Sequence, residues 1–211
     1  PELHPVALNV LRQAFRNNTK VVAMALWPDG VGLAQAAFDS IAPLFDKQVG
    51  RDWTFLGYKP GHETLIINMG QDIYSAFSVD VYGNATLGME VLSDIDKLGD
   101  FDYVLAMAAG NTIDRSVWIP YAVDRYGTQL GGAVTAVMSP DMFPYLQSGQ
   151  LTGLVSGLAG GAEYETLVGA PGAAVRGMVP QSAVHMVIIL FILFGNTMYF
   201  LQRRRSRRTA A

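Results

Sequence analysis

The sequence predicts an α/β fold, an open and mainly parallel sheet with helices on both faces, followed by one C-terminal transmembrane helix. Two observations support this prediction. Short apolar runs alternate with turn residues and helical patterns four times, and such alternation is typical of strand–helix units in a parallel sheet. Near the C-terminus, 19 uncharged residues precede five arginines within six positions. Right-handed crossovers between successive units would give a Rossmann-like arrangement.

The chain begins with an amphipathic segment over residues 1–20. Its apolar residues recur at helical spacing and share a broad face; they are Val6, Leu8, Val10, Leu11 and Phe15. Such a helix either caps the domain that follows or continues toward an N-terminal anchor ahead of Pro1.

The first strand–helix unit opens the α/β domain, which we place over residues 21–168. "VVAMALW" (21–27) is an apolar run of strand length, and "PDG" (28–30) predicts a turn. A helical pattern follows over 31–45. Pro43 must kink or end this helix because proline lacks a backbone N–H donor.

The second unit repeats this order. Residues 52–58, "DWTFLGY", are rich in aromatic residues that favour strands, and residues 59–62 predict a turn. The pattern over 63–77 predicts a helix whose apolar residues fall on or near one face. They are Leu65, Ile66, Met69, Ile73 and Phe77.

The third unit follows an irregular excursion over 78–100, in which one short helix is expected at 88–97. Thr112 is a candidate N-cap and Gly127 a candidate C-terminal glycine of the helix in this unit, while Pro120 predicts a kink or a split. The predicted strand, turn and helix cover 101–108, 109–112 and 113–127.

The fourth unit has a strand over 132–139 and a helix over 140–150. Pro140 suits the first turn of that helix, where no N–H bond is lost. A glycine-rich region over 151–180 comes next. The spacing of its leucines predicts a helix over 151–158, and its glycines would permit close helix packing. Composition favours a flexible juxtamembrane linker over 169–181.

The apolar stretch near the C-terminus predicts a transmembrane helix over 182–202. The uncharged residues 183–201 would form a helix about 28 Å long, close to the roughly 30 Å hydrocarbon core of a bilayer. The alternative is a buried core helix. That alternative gives no reason for the arginines that follow.

The basic tail, residues 203–211, predicts the topology. Lys and Arg in short flanking segments stay on the cytoplasmic side and bind lipid head groups. The residues concerned are Arg203, Arg204, Arg205, Arg207 and Arg208. We therefore expect a cell-membrane protein with a cytoplasmic C-terminus and a periplasmic or extracellular domain. Translocation would need a cleaved signal peptide or an N-terminal anchor ahead of Pro1.

Composition narrows the function classes. The formal net charge is −3, and the tail holds five of the fifteen basic residues, so the outer domain is acidic. A basic stripe interleaved with aromatic residues is absent, which argues against nucleic-acid binding. The chain has no cysteine, which excludes disulfides, thiolate metal sites and cysteine nucleophiles.

Ligands of open α/β sheets bind at the carboxyl ends of the strands. The turns there supply four candidate ligand-binding residues: Asp29, His62, Asn111 and Asp141. The alternative is that Asp, Asn and Gly occupy these positions because turns require them.

Known catalytic and metal-binding patterns are poorly represented. His62 and Ser139 lack the G-x-S-x-G context of a hydrolase nucleophile, and neither H-x-x-x-H nor a phosphate-binding G-x-x-x-x-G-K-[ST] motif occurs. Asp29, Asp72 and Asp80 offer only an unspecific carboxylate site. We therefore assign no catalytic residue, metal or cofactor, and expect a non-catalytic role.

Polar and small residues inside the span indicate a second helix. His185 and Asn196 would face a partner helix rather than lipid, and Gly195 would allow its close approach. The alternative is that both polar side chains lie at the membrane interfaces, since they are near the two ends of the span.

The stretch "AVTAVMSPDMFPYLQSGQLTGLVSGLAGGAEYE" (133–165) carries a resemblance. It resembles bacterial membrane proteins with an extracytoplasmic α/β domain and a C-terminal transmembrane helix, and also one lobe of a periplasmic binding protein. The resemblance implies an extracytoplasmic domain anchored by a terminal helix. The missing catalytic residues, the glycine-rich segment and the polar residues in the span favour a non-catalytic subunit that binds other membrane-protein subunits. The competing reading is a small-molecule sensor or hydrolase at the strand ends.

Overall fold

The structure, a computed structural model, describes residues 3–110, 113 and 117–209, with the backbone alone for 204–209. Over these residues the chain has a mixed α/β fold with parallel strands, which confirms that part of the prediction. Asn111 and Thr112 lie outside the described residues.

The strands form two separate hydrogen-bonded sheets. Their bounds are β1 Val21–Ala25, β2 Trp53–Tyr58, β3 Val104–Ala108, β4 Leu130–Val134 and β5 Gly153–Ser156. One sheet pairs β1 with β2, and the other has the order β3-β4-β5. Every pairing is parallel. The single continuous Rossmann-like sheet is not observed, because no backbone ladder joins β1 to β3 in the described residues.

The α-helices of the described residues follow the strands as expected of strand–helix units. They are α1 Leu3–Arg16, α2 Asp29–Ile41, α3 His62–Met69, α4 Ile73–Ala76, α5 Asp124–Tyr126, α6 Ser139–Gln147, α7 Gly157–Leu167 and α8 Ala173–Thr209. The amphipathic N-terminal segment is indeed helical. It buries Val6, Leu11 and Phe15.

The prolines and Gly127 act largely as the sequence predicts. α2 ends at Ile41 and continues as a 3-10 turn containing Pro43. Pro120 lies in a π-helical turn, Ile119–Val123, that precedes α5. Gly127 ends α5 with a left-handed φ of 69°, and Pro140 occupies the first turn of α6.

The excursion over 78–100 differs from the prediction. In place of a helix over 88–97 it has two 3-10 turns, Glu90–Leu92 and Leu98–Asp100. The buried Asp80 organises its first part, since Oδ1 accepts hydrogen bonds from the N–H groups of Tyr82 (2.9 Å) and Asn84 (2.8 Å). At the end of the predicted helix, Asp100 Oδ2 accepts hydrogen bonds from the N–H groups of Asp96 and Lys97, both at 3.0 Å, and local side-chain bonding of this kind competes with helix formation.

The predicted helix over 151–158 is wrong. This segment contains β5, which pairs with β4 from Gly131↔Gly153 to Val134↔Ser156. Gly153 and Gly157 lower helix propensity on either side of the three residues 154–156. The backbone groups of β4 that do not pair with β3 then form hydrogen bonds with this segment, in place of the hydrogen bonds of a local helix. Tertiary pairing therefore overrides the helical spacing of the leucines.

The flexible linker expected over 169–181 is also wrong in its secondary structure. α8 begins at Ala173 and continues without interruption through the apolar stretch to Thr209, a length of 37 residues. Pro180 lies inside it. Packing against the domain stabilises the first turns of this helix, so composition alone misjudged its flexibility.

Helices cover both faces of β1 and β2. Alternate residues of these strands enter two different apolar clusters, as the period of two requires. Leu56, Met24 and Val22 join the cluster that contains α3, α6 and β3. Phe55, Trp53 and Ala25 join the cluster that contains α1 and α2. Helices on both faces therefore agree with the prediction.

Two glycines provide a test of this packing. A Cβ at Gly70 would overlap the ring of Tyr126, whereas a Cβ at Gly32, inside α2, would meet nothing within 4 Å. We expect G70A to lower the free energy of unfolding by about 1–3 kcal/mol through overpacking. G32A should raise it by about 0.5–1 kcal/mol because alanine favours the helix. Urea unfolding of the full chain in detergent measures both, and equal effects would contradict the packing.

Candidate functional site

The junction between the α/β domain and α8 is closely packed and hydrogen-bonded. α7 and α8 lie antiparallel with small residues between them. A Cβ at Gly161 would lie 3.3 Å from the Cβ of Ala174, and a Cβ at Gly177 would lie 2.9 Å from Cδ2 of Leu158. Glycine at these two positions therefore allows the two helices to approach closely, as the sequence predicted for Gly161.

Glu165 in α7 holds the start of α8. Its side chain is buried, with 1% of its surface exposed. Oε2 accepts hydrogen bonds from the N–H groups of Gly172 (2.7 Å) and Val175 (2.9 Å). Oε1 accepts from the N–H of Ala174 (3.1 Å) and from Nδ2 of Asn9 (3.0 Å). One carboxylate therefore links α1, α7 and the first turn of α8.

The chemistry of a helix terminus explains this arrangement. The first N–H groups of a helix have no partner within it, and their aligned dipoles favour a negative charge. Burial raises the pKa of Glu165, but the hydrogen bonds from Val175, Ala174, Gly172 and Asn9 outweigh it and hold the pKa below its ordinary value. Glu165 therefore remains ionised at neutral pH and caps α8.

Sequence reasoning missed this capping role. In the sequence, Glu165 is only the last residue of the stretch over 133–165. A cap normally lies next to the helix it serves, whereas Glu165 belongs to the preceding helix. The proline and glycine at 171–172, just ahead of a helical pattern, mark a helix start, but they do not say which side chain caps it.

The candidate ligand residues at the strand ends are placed as follows. Asp29 and Asp141 are exposed in the first turns of α2 and α6, where a negative charge complements the helix dipole. Within the described part of the chain, no hydrogen bond or ion pair joins Asp29, His62 and Asp141 to one another. Asn111 lies outside the described residues.

His62 has partners from the first unit. Its ring lies against the Trp27 indole, with centroids 4.7 Å apart. Nε2 donates a hydrogen bond to the carbonyl of Leu26 at 3.0 Å. The Trp27 side chain is itself 57% exposed. The end of β1 and the start of α3 thus form a small aromatic cluster open to solvent.

A second polar contact joins the start of α6 to the end of β5. The Ser139 and Ser156 hydroxyls are hydrogen-bonded to each other, and Ser139 is buried. Lys59 is turned inward instead, since its Nζ donates to the carbonyl of Ala76 at 2.5 Å and lies over the Phe77 ring. These groups stabilise the turns, and His62 is not among the partners of Ser139.

The three carboxylates considered for an ion site, those of Asp29, Asp72 and Asp80, have different roles in the structure. Asp72 caps α4 by accepting from the N–H groups of Tyr74 and Ser75, and the Ser75 hydroxyl and N–H lower the pKa of Asp72. Asp80 orders its own turn and Asp29 is exposed. Among the described residues, no group of three or more His, Asp or Glu is arranged to hold a metal ion.

The far part of α8 is fully exposed. Residues 182–203 have exposed side chains throughout, including His185, Asn196 and Arg203. Nothing lies within 4 Å of a Cβ built at Gly195. The side chains of Arg204, Arg205, Arg207 and Arg208 lie outside the described residues. No described part of the chain covers this stretch.

The described residues contain one helix that is long and apolar enough to cross a membrane, Ala173–Arg203, by length and composition. No protein-family model, curated protein or solved structure matches the chain. The class that follows from the structure is therefore a mixed α/β domain joined without a flexible break to one long apolar helix.

Glu165 gives a prediction with a pH dependence. We expect E165Q to lower the free energy of unfolding at pH 7 by about 2 kcal/mol, because bonds to a buried charge are lost. The matched control E163Q, an exposed carboxylate in the same helix, should have little effect. Because the folded pKa is depressed, the contribution of Glu165 is present above about pH 4.3 and is lost as the pH falls through the folded pKa.

Urea titrations of the full chain in detergent, followed by tryptophan fluorescence, measure this difference at pH 7 and in acid. The difference in the free energy of unfolding between wild type and E165Q should become smaller in acid. A gap that stays constant across this pH range, or an equal effect of E163Q, would contradict the capping role.

Proposed function

We propose that this chain is a membrane-anchored accessory or structural subunit of a membrane protein complex. One observation carries the proposal: the exposed apolar stretch over 183–201 continues directly from helix turns that are docked on the domain. Apolar surface of this length is stable in lipid. A docked helix start also suits a protein that must hold a domain in a defined orientation.

The arginine cluster supports the orientation. Arg203 through Arg208 follow the apolar stretch, and clusters of this kind stay on the cytoplasmic side. The proposed topology has a single span, a cytoplasmic C-terminus, and the α/β domain in the periplasm or outside the cell. The arginines would bind anionic head groups of the inner leaflet.

A binding role is favoured over catalysis by how the polar groups are used. Glu165, Asp72 and Asp80 each hold backbone N–H groups. In the span, Asn196 has no hydrogen-bond partner within the described residues, and Gly195 beside it leaves room for another helix. Polar residues at such positions commonly face a neighbouring helix. The proposed partners are therefore other membrane-protein subunits.

The cluster at the end of β1 favours a second candidate function, a small-molecule sensor or hydrolase. Trp27 presents an exposed indole beside His62, at the strand edge where α/β proteins bind ligands. Aromatic surface with a polar neighbour is typical of ligand pockets. A binding screen of small molecules tests this function. A ligand that binds the wild type and loses its binding in both W27A and H62A would favour this function over the first.

Membrane topology is the first test of the proposal. We expect the full chain to remain with membranes after alkaline carbonate washing. Protease added outside intact cells should digest the domain and leave the arginine tail protected, because the tail is cytoplasmic. Recovery in the soluble fraction, or loss of a C-terminal tag with an intact domain, would contradict the proposed anchor.

Partner binding through the span is the second test. We expect N196L to reduce co-purification of other membrane proteins after mild detergent extraction, because the amide would lose its interhelical bonds. T197V is the matched control, since the Thr197 hydroxyl bonds to Leu193 within the same helix at 2.7 Å. Both variants should insert normally. Equal co-purification with N196L and wild type, or a wild-type chain that purifies alone, would count against the subunit role.

A further inference from the structure

The direction of α8 relative to the sheet follows from its contacts. β5 runs toward its carboxyl end at Ser156, and α7 returns from there to Leu167. α8 lies antiparallel to α7, with Ala174 beside Gly161 and Gly177 beside Leu158. α8 therefore runs back along the domain and leaves it at the carboxyl end of β5.

The first sheet has the same polarity. α1 runs in the direction of α7, since Val6 lies beside Gly161 and Asn9 bonds to Glu165. α1 and α2 pack side by side with their C-terminal ends together, where Phe15 meets Phe38. The starts of α2 and α7 thus lie at one edge of the domain. We call this edge, where all five strands end, the carboxyl edge.

The apolar stretch begins almost where α8 leaves the carboxyl edge. Gln181 is the last partly buried residue of the helix, and every side chain from 182 to 203 is exposed. The uncharged residues begin at Ala183. One or two residues, about 3 Å of helix, separate the domain from this stretch. A bilayer around the stretch must therefore lie against the carboxyl edge.

Exposed apolar side chains occupy that edge. Val137, in the turn after β4, is 81% exposed, and Trp27, after β1, is 57% exposed. Ala136, the neighbour of Val137, contacts Gly157 at the start of α7. In the antiparallel pairing of α7 with α8, Gly157 lies level with about residue 178 of α8. From there to Ala183 is roughly 8 Å, within reach of the head-group layer of a bilayer.

We infer that the carboxyl edge of the domain rests on the lipid surface, with Trp27 and Val137 in the head-group interface. The inference rests on the proposed membrane anchor and deepens it. Tryptophan is common at this depth, because its ring is apolar with one polar N–H. An aqueous ligand would then have little access to the strand ends, and a molecule reaching them would come from the membrane.

The charge of the edge selects the kind of lipid. The exposed acidic residues Asp29, Glu63 and Asp141 lie in the first turns of three helices there, and Lys59 is already bonded internally. The described residues thus give this edge a negative balance, which disfavours anionic lipid. Zwitterionic head groups, such as phosphatidylcholine, match it, and the attachment is apolar rather than electrostatic.

Trp27 makes the contact measurable. Trp53 and Trp118 are buried, with 4% and 7% of their surface exposed, so Trp27 alone of the three tryptophans is open to a quencher. The full chain is reconstituted into phosphatidylcholine vesicles with brominated acyl chains. We expect loss of emission relative to unbrominated vesicles for wild type, and a much smaller loss for W27F.

A matched pair of variants separates the two edges. V137W and L167W, each in the W27F background, replace side chains of similar exposure, 81% and 85%, near the start and at the end of α7. We expect the indole introduced by V137W to lose emission in brominated vesicles and that introduced by L167W to keep it. Quenching should not depend on salt, because the contact is apolar.

Four results would overturn the inference. Trp27 emission that brominated lipid leaves unchanged while aqueous acrylamide quenches it would mean that the edge faces water. Equal quenching for V137W and L167W would mean that the bilayer does not contact the carboxyl edge in preference to the opposite edge. Protection of Trp27 from both quenchers would mean that another copy of the chain covers the edge. A chain that fails to float with the vesicles would overturn the proposed anchor as well, whereas the other results leave the anchor intact.

Discussion

The capping of α8 by Glu165 is the interaction on which the arrangement of this molecule depends. A long apolar helix leaving a domain would pivot freely if its first turn were unbound. Here a buried carboxylate accepts three backbone N–H groups of that turn and its approach, together with the Asn9 amide. A change of helix direction would separate these N–H groups from the carboxylate. It carries a large free-energy cost, because the buried donors would then be unpaired.

A fixed helix direction determines which surface of the domain lies nearest the apolar stretch. Since α8 passes the start of α7 and continues outward, the carboxyl edge is that surface. This edge is also where α/β proteins usually place their ligand sites. The proposed lipid contact and the proposed sensor site therefore compete for one surface, and the lipid contact would restrict a sensor to ligands that arrive from the bilayer.

The elements that the sequence predicts well are those with strong local signals. The four predicted strands, the amphipathic α1, and the effects of Pro43, Pro120 and Pro140 follow from apolar runs and from the missing proline N–H. The helix predicted over 151–158 is wrong because helical and strand spacing coincide in so short an apolar run, and its partners in β4 are 22 residues away, as in Gly131↔Gly153. The start of α8 was misread because Glu165 belongs to another helix.

By itself the sequence determined the alternation of strands and helices and the long uncharged helix with its arginines, because these depend on residue type and spacing along the chain. The tertiary structure decided the division into two sheets, the fifth strand, the capped start of α8 and the edge from which that helix leaves. Those features arise from hydrogen bonds and packing between segments far apart in the chain, and no local pattern specifies which distant group will be the partner.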